Sequence, residues 1–252
     1  ATLIAGASHG PRAFRKMVRD FQPDVVMSFL KGTCLITWAS LWYFGEDRPR
    51  WIVREGNNTM AVIREETGNV AVRKVTESLT RGAYRAADIV LANSTDMAVG
   101  IQQDLGLDPA RMRTINNPID LAGIAQSVKQ VPKRLPERPF LLTVGGMEYQ
   151  KAQDVLLKAY AASAAKNDND LVMLGVGTLE NDLRALAVEL GIANRVHFLG
   201  FTENPHAWMA RAQLFLLPSR WEGFPTAAAE ALACGAPSIL SDCRFGPRDI
   251  IE

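Results

Sequence analysis

Apolar runs of strand length alternate with longer mixed stretches in the first half of the chain. Each run is followed by a segment long enough for one helix before the next run begins. This pattern predicts strands at residues 25–30, 51–55, 89–93 and 113–116, and helices at 12–21, 33–44, 64–87 and 94–105, the third interrupted near 68–69. We expect the strand at 25–30 to be buried and the aromatic-rich helix with Trp42 and Tyr43 to belong to the core.

The second half repeats the alternation more regularly. It predicts strands at residues 140–144, 171–174, 196–199, 214–217 and 238–240, and helices at 154–165, 179–190, 205–211 and 225–234, with a last helix from about 246. His206 is expected at an exposed helix start, and His197 on a strand as a structural residue. Because strands separated by helices pair in parallel, both halves predict an α/β layer fold.

The segment at residues 119–139 breaks this rhythm. It contains Pro132, Pro136 and Pro139, several charged side chains and little apolar content. Such a composition is typical of a linker. We therefore place the domain boundary within 129–139, which gives a first domain at 1–130 and a second at 131–252.

A strand, loop and helix at residues 214–235 carry the most informative side chains. Pro225 suits the first turn of a helix, and Gly235 suits its end. Glu222 then lies on the loop, and Glu230 lies about one and a half turns into the helix. The N–H groups of Thr226 and its neighbours are expected to be free at the helix start, where they favour an anion such as phosphate. The ordinary alternative is a capped loop with a surface glutamate.

Other glycine-bearing loops of the second half follow predicted strands. They are Gly145-Gly146, Gly175-Val176-Gly177 and Gly200-Phe201, and Asp242 follows the last strand. Since ligands of parallel α/β sheets bind outside the carboxyl ends of the strands, these loops predict one shared site. Lys151 follows the first loop and could reach a diphosphate as a point charge. Glu180 stands where a G-x-G-x-x-G motif would have its last glycine, which argues against a dinucleotide dehydrogenase.

Composition and charge are those of an ordinary globular protein. The net charge is +1 and three cysteines are widely spaced, so we expect no nucleic-acid partner, no metal site and a reducing compartment. No segment has the length of a membrane span. Ala1 to Ala5 lack the features of a signal peptide, so we expect a cytoplasmic chain that begins inside a longer protein.

The first predicted helix has a basic side. Arg12, Arg15, Lys16 and Arg19 follow one another at helical spacing. Such a side is typical of a solvated helix, and it also fits peripheral contact with anionic lipid at the inner face of a membrane.

The segments around Glu222 resemble a known family. The spacing of Glu222 and Glu230 resembles the Glu-x7-Glu motif of retaining glycosyltransferase family 4, or glycosyl transferases group 1, whose members have the GT-B fold. The resemblance covers most of residues 140–252 and continues more weakly back to about Pro23. It is carried by Glu222-Gly223-Phe224-Pro225, by Glu230-Ala231-Leu232-Ala233-Cys234-Gly235 and by Gly246-Pro247-Arg248.

The resemblance implies two Rossmann-like domains whose parallel sheets face each other across a cleft, both of them truncated here. It implies an acceptor-side first domain and a second domain that binds a nucleotide-sugar donor. Catalytic roles fall on Glu222, which would contact the donor sugar, and on Lys151. Donor binding would involve Glu230 at the ribose, together with Gly145, Gly146, Phe224, Pro225, Thr226, Gly200 and Phe201. Residues facing the acceptor would be Asn57, Asn58, Asn93 and Asn117.

The chain departs from the family pattern at two positions. Gly146 stands where the family usually has an arginine, and Gly56 stands where many members have a histidine. One cation of the expected diphosphate clamp is therefore missing, and stabilisation of the leaving group would rest more heavily on Lys151 and the helix amides.

The expected function is transfer of a sugar from a UDP- or GDP-linked donor to a hydroxyl of a glycan or lipid-linked acceptor, with retention of anomeric configuration. The resemblance implies no bound cofactor or metal, a role in surface polysaccharide or glycan synthesis, and a leaving diphosphate that helps to take the acceptor proton. The alternatives are a non-catalytic nucleotide-sugar-binding module, another GT-B enzyme such as a sugar-nucleotide epimerase or phosphorylase, and a two-lobed periplasmic-type binder.

Overall fold

The computed structural model describes residues 6–251 and divides them into two compact units, which meet in the sequence at Asn116 and Asn117. Residues 1–5, to which the expectation about a signal peptide refers, lie outside the described part. Each unit contains a parallel sheet with helices, so the predicted α/β class is confirmed.

The sheet of the first unit has the strand order β1-β2-β3-β4, and all its neighbours are parallel. Its strands are β1 (Val25–Phe29), β2 (Arg50–Arg54), β3 (Ile89–Ala92) and β4 (Met112–Thr114). Its helices are α1 (Gly6–Phe21), α2 (Leu30–Leu41), α3 (Thr59–Glu66), α4 (Val70–Ala86) and α5 (Thr95–Leu105).

Side-chain caps set the helix limits that the apolar pattern left uncertain. Asn58 accepts a hydrogen bond from the Ala61 N–H, so α3 begins before the predicted position 64. Asn69 caps α4 in the same way, which confirms the interruption near 68–69. Ser94 caps α5 through the Met97 N–H.

Two expectations about burial in the first unit were wrong. Strand β1 is at the edge of the described sheet, and its Val25, Met27 and Phe29 are exposed. Helix α2 ends at Leu41, and a 3-10 turn over Trp42–Asp47 carries Trp42 outward, where 84% of it is exposed. Tyr43 is also exposed. An apolar run predicts an element but does not state which neighbours cover it.

The sheet of the second unit has the order β7-β6-β5-β8-β9 and is parallel throughout. Its strands are β5 (Phe140–Val144), β6 (Asp170–Leu174), β7 (Val196–Gly200), β8 (Leu214–Leu217) and β9 (Ser238–Leu240). Its helices are α6 (Leu121–Ser127), α7 (Gln153–Ala162), α8 (Ala165–Asp168), α9 (Glu180–Glu189), α10 (His206–Met209), α11 (Thr226–Ala233) and α12 (Arg248–Ile251).

Helix α6 lies within the segment predicted as a linker. Asp120 caps it by accepting from the Gly123 N–H, and its Ile124 is buried. The helix packs against α10 and α11 and so belongs with the second unit. For this reason the compact units separate earlier in the sequence than the boundary expected from composition.

Both faces of the second sheet are covered. Leu142, Val172 and Phe215 pack on one face, and Leu141, Leu171 and Met173 pack on the other. Burial on both faces explains why these strands are continuous apolar runs.

Close backbone contact fixes the loops at the carboxyl ends of β5 and β6. Gly175 has a φ of 132°, and a Cβ built there would lie 2.0 Å from the Gly145 carbonyl oxygen. A Cβ on Gly177 would lie 2.4 Å from the Met147 carbonyl oxygen. Only glycine allows this approach, which holds the two loops together at one edge of the sheet.

We predict that Gly175→Ala destabilises the protein by more than about 2 kcal/mol, because the new methyl group collides with backbone that cannot move away. The matched control is Gly191→Ala. Gly191 also has a positive φ, of 69°, but a Cβ there meets nothing within 4 Å. Its cost should be the strain of the left-handed conformation alone, about 1 kcal/mol. Urea unfolding measures the free energy of unfolding of both variants. Equal losses in the two variants would contradict the close contact between Gly175 and the Gly145 backbone.

Candidate functional site

The loop between β8 and α11 buries a carboxylate. Glu222 is only 4% exposed. Its Oε1 accepts hydrogen bonds from Lys151 Nζ at 2.7 Å and from Ser219 Oγ at 2.6 Å. A buried carboxylate needs such partners, because desolvation without them is costly. The structure therefore brings together the two residues to which the sequence assigned catalysis.

Lys151 ends a short 3-10 turn, Tyr149–Lys151, at the carboxyl end of β5. Its aliphatic stem passes Gly145, where a Cβ would lie 3.6 Å from it. Gln153 donates to the Gly146 carbonyl at 2.8 Å and so ties helix α7 to the glycine loop. Gly145, Gly146 and Lys151 are thus parts of one folded loop.

The start of α11 differs from the expectation in one respect. The Thr226 N–H donates to the Phe224 carbonyl at 2.9 Å, so this amide is not free for an anion. Thr226 Oγ1 accepts from Asn117 Nδ2 at 3.0 Å. Asn117, which the sequence assigned to the acceptor side, therefore lies in the second unit beside the helix start.

The segment after β9 packs against the same loop. Gly246 has a φ of 87°, and a Cβ there would lie 2.6 Å from the Gly223 carbonyl oxygen and 2.8 Å from Pro225 Cδ. The glycine is therefore required for the contact that holds Gly223 to Pro225 in place.

Glu230 lies on α11 next to His206. Glu230 Oε2 is 3.6 Å from His206 Nε2, and both side chains are mostly buried. The expectation of an exposed His206 was wrong, because α10 packs against α11 and turns the imidazole towards Glu230. His197 has the structural role predicted for it, since its Nε2 is 2.8 Å from the buried Asp170.

A cavity of about 550 Å³ opens beside the carboxyl end of β7. Phe201, 76% exposed, contributes to its wall, and Gly200 immediately before it has a φ of 72°. Trp208 and Arg134 also line the cavity, and sequence reasoning assigned neither of them to a site. Lys151 and Glu222 do not line it, so the cavity is a neighbour of their loop and not the same pocket.

The first unit has its own polar edge, organised by a residue that the sequence analysis missed. Glu55, 2% exposed, accepts from the N–H groups of Gly56 at 2.9 Å and Asn57 at 3.2 Å. It also accepts from Thr59 Oγ1 and the Tyr84 hydroxyl. Burial and the nearby Glu55 charge raise the pKa of Tyr84 well above its usual value, so the phenol remains a neutral donor.

Three of the four asparagines predicted on the acceptor side, Asn57, Asn58 and Asn93, lie around this loop. Asn58 caps α3, and its backbone N–H donates to Asn57 Oδ1 at 2.7 Å. Asn93 Nδ2 donates to the Gly56 carbonyl at 3.3 Å, and its buried Oδ1 has no hydrogen-bond partner among the described residues. A Cβ on Gly56 would lie 2.7 Å from Arg54 Nη1, so the Arg54 guanidinium occupies the space where a side chain at position 56 would begin.

Residues 6–251 contain no group of three or more His, Cys, Asp or Glu side chains arranged to hold a metal ion. None of the helices in this range has the length and apolar character needed to cross a membrane.

Comparison with known proteins gives consistent matches for both units. Residues 126–252 match the family described as "Glycosyl transferases group 1", and residues 6–122 match "Glycosyltransferase Family 4". A Campylobacter jejuni relative, N-acetylgalactosamine-N,N'-diacetylbacillosaminyl-diphospho-undecaprenol 4-alpha-N-acetylgalactosaminyltransferase, is 30% identical over 237 residues. That match covers 94% of this chain and 62% of the relative, so the chain spans about three fifths of its length.

Two solved structures illustrate the likeness in three dimensions. The lipopolysaccharide outer core galactosyltransferase WaaB in its apo form has a TM-score of 0.62 at 25% identity, covering 96% of this chain and 63% of WaaB. Anabaena Alr3699/HepE in complex with UDP-glucose has a TM-score of 0.76 at 17% identity, covering 96% of this chain and 65% of HepE.

We predict that Lys151→Ala lowers the free energy of unfolding by about 2 kcal/mol, because it leaves the buried Glu222 with Ser219 as its remaining side-chain partner. Adding Glu222→Gln removes the charge that needed a partner, so the double variant should lose less than the sum of the single losses, by about 1 kcal/mol or more. Lys158→Ala, an exposed lysine on α7, is the control and should stay within about 0.5 kcal/mol of the parent. Additive losses in denaturant unfolding would show that the ion pair does not stabilise this loop.

Proposed function

The chain belongs to the glycosyl transferases group 1 family, and from this premise we propose that the complete protein transfers a sugar from a nucleoside-diphosphate sugar to an acceptor hydroxyl. The expected GT-B class, with two Rossmann-like domains, agrees with its structural neighbours. The observation that carries the proposal is the Lys151–Glu222 pair at 2.7 Å, placed at the carboxyl edge of a parallel sheet between two glycine-bearing loops.

Each member of this pair suits one part of the donor. The Lys151 ammonium stabilises the negative charge that develops on the departing diphosphate. The Glu222 carboxylate accepts hydrogen bonds from sugar hydroxyls, and Glu230 accepts from the ribose of the nucleotide. Phe224, Pro225 and Thr226 bring the loop backbone to the sugar and diphosphate through groups other than the Thr226 N–H, which is bonded to the Phe224 carbonyl. Gly200 and Phe201 lie beside the base.

The proposed reaction exchanges one bond at the anomeric carbon. The bond from that carbon to the diphosphate oxygen breaks, and a bond to the acceptor oxygen forms on the same face of the sugar, so the configuration is retained. The acceptor proton passes to an oxygen of the leaving diphosphate. The protein contributes positioning and charge stabilisation and supplies no covalent group and no resident cofactor.

UDP- and GDP-linked sugars are the proposed donors, and UDP-linked sugars are the first to test because a solved structure with this fold holds UDP-glucose. A glycan or lipid-linked acceptor is proposed from the names of relatives, one of which acts on a diphospho-undecaprenol substrate. With these substrates, the proposed role of the protein is in surface polysaccharide or glycan synthesis.

We propose a cytoplasmic protein in peripheral contact with the inner face of a membrane. Support comes from α1, where Arg12, Arg15, Lys16 and Arg19 gather beside the exposed ring of Tyr43. The Arg15 guanidinium lies 5.1 Å from the centre of that ring. Cations beside an exposed aromatic ring suit the headgroup region of an anionic bilayer.

A second candidate function is a binding module that holds a nucleotide sugar without turning it over. The observation that favours it is Gly146, which provides no side chain where the family usually has an arginine. A thermal-shift screen of the full-length protein with UDP-, GDP- and ADP-sugars, followed by product analysis, separates the two functions. Binding with a new glycosidic product of retained configuration supports the transferase, and binding without any product supports the module.

For the transferase, we predict that Lys151→Ala in the full-length protein lowers kcat about a hundredfold, since one charge-stabilising donor is typically worth about 3 kcal/mol in the transition state. Lys158→Ala is the control, and its kcat should match that of the parent. Steady-state release of nucleoside diphosphate measures both. A Lys151→Ala enzyme with the parental kcat would remove Lys151 from this role.

For the membrane contact, we predict that Arg12→Glu/Arg19→Glu weakens co-sedimentation of the full-length protein with phosphatidylglycerol vesicles. Each charge near an anionic surface contributes about 1 kcal/mol, and the variant reverses two of them. Arg184→Glu, a reversal in the second unit, is the control. Equal sedimentation of parent and α1 variant, or equal binding to phosphatidylcholine vesicles, would argue against the proposed surface.

A further inference from the structure

Arg220 links the loop of Glu222 to the turn that carries Lys151. The Nη2 atom of its guanidinium donates to Asp154 Oδ2 at 2.8 Å, and the Nη1 atom donates to the Tyr149 carbonyl at 2.6 Å. The guanidinium lies 4.0 Å from the centre of the Tyr149 ring. The backbone N–H of Arg220 donates to the Gln150 carbonyl at 2.8 Å. One residue thus engages the Lys151 turn through charge, ring stacking and backbone.

The neighbours of Arg220 extend this link. Gln150 Nε2 donates to the Trp221 carbonyl at 2.9 Å, and the rings of Tyr149 and Trp221 pack with their centres 6.0 Å apart. Lys151 and Glu222 directly follow these paired residues in their own segments. The distance between Lys151 and Glu222 is therefore set by the contacts that Tyr149 and Gln150 make with Arg220 and Trp221.

The opposite end of the turn is held as well. Glu148 accepts from the Thr178 N–H at 3.1 Å and from its hydroxyl at 2.7 Å. Ala152, immediately after Lys151, has a φ of 52°, in the left-handed region that a residue with a Cβ rarely adopts. A turn fixed at both ends and closed by a strained residue has few alternative shapes, so the stem of Lys151 starts from a defined position.

The ion pair of Arg220 and Asp154 matters more for geometry than for stability. Both side chains are about a quarter to a third exposed, and pairs of this kind contribute little to folding. Hydrogen bonding to Arg220 nevertheless holds the pKa of the Asp154 carboxyl below its usual value, so the pair remains charged at acidic pH values where an ordinary aspartate begins to take up a proton.

The need for such geometry follows from Gly146. A diphosphate held by two side-chain cations tolerates a shift of one of them. Here Lys151 is the single side-chain cation that the sequence offers at the expected clamp, so its placement determines what the side chains of the clamp contribute to stabilising charge on the leaving group.

We propose that Arg220 is a positioning residue that clamps the Tyr149–Lys151 turn to the Glu222 loop and thereby places Lys151 for the donor diphosphate. The proposal rests on the proposed transferase function for its catalytic consequence. Its structural content, that Arg220 determines where the Lys151 amine lies, can be tested without a substrate.

The first test measures the reactivity of the Lys151 amine in the full-length protein. Limited acylation with a succinimidyl ester, followed by mass spectrometry, gives the modification rate of Lys151 relative to that of the exposed Lys158 on α7. Arg220→Ala should raise this ratio severalfold, because the amine leaves its partner Glu222 more often. Arg220→Lys, which keeps a cation but loses the two-pronged contact, should give an intermediate ratio.

The matched control is Arg184→Ala. Like Arg220, Arg184 pairs with a carboxylate, that of Glu180 at 2.8 Å. Its guanidinium lies 4.6 Å from the centre of an aromatic ring, that of Phe198. It makes the same kinds of contact in the same unit without touching the Lys151 turn. Its removal should leave the Lys151 ratio unchanged, and an equal rise in both variants would overturn the clamp in favour of general loosening.

The second test uses nucleoside diphosphate release from UDP-galactose, UDP-N-acetylglucosamine and GDP-mannose by the full-length protein. With the donor that the parent turns over, Arg220→Ala should lower kcat about tenfold with little change in KM, because a displaced cation mainly affects the transition state. In the Lys151→Ala background the same substitution should change kcat by less than about twofold, since Arg220 acts through Lys151. A purely structural role would lower activity in both backgrounds.

The outcomes keep the two proposals apart. A parent protein that turns over none of these donors would count against the transferase proposal. The acylation ratio of Lys151 would still decide whether the clamp exists. If the parent is active and Arg220→Ala changes neither the Lys151 ratio nor kcat, the clamp is wrong and the transferase proposal stands.

Discussion

A buried carboxylate imposes the main constraint on the second unit. Glu222 lies out of solvent at the end of β8, and its charge is acceptable only with Lys151 and Ser219 in place. These partners are in place only when the loops that follow the neighbouring strands β5 and β8 approach to hydrogen-bonding distance. The glycines of the β5 and β6 loops, the packing of Gly246 on the Glu222 loop and the contacts of Arg220 all serve that meeting.

The same constraint explains why the candidate site lies at one edge of the sheet. Parallel strands end together there, so loops distant in sequence become neighbours. Close backbone approach at Gly175 and Gly177 leaves little freedom for side chains to drift. A site built this way holds its polar groups before a ligand arrives, which is the property that charge stabilisation in catalysis requires.

Much of this arrangement could be predicted from the sequence, and the failures have physical causes. The period and length of the apolar runs were enough to predict the strands and their parallel pairing. The rule that ligands bind at the carboxyl ends of parallel strands predicted Lys151 and Glu222 in one site. The exposure of Trp42 could not be predicted, because an apolar pattern does not reveal which neighbour covers it. The role of Arg220 and the bond from Tyr84 to Glu55 depend on contacts between distant segments, and no local pattern marks such contacts.

The central claim is that Lys151, held beside Glu222, receives the diphosphate of a nucleotide sugar. Calorimetric affinities of the full-length protein for UDP and UMP, measured in the parent and in Lys151→Ala, test it most directly. The account predicts that the parent prefers UDP by about tenfold or more, equivalent to about 1.4 kcal/mol, and that Lys151→Ala reduces this preference towards parity. An unchanged preference for the diphosphate after loss of Lys151 would contradict it.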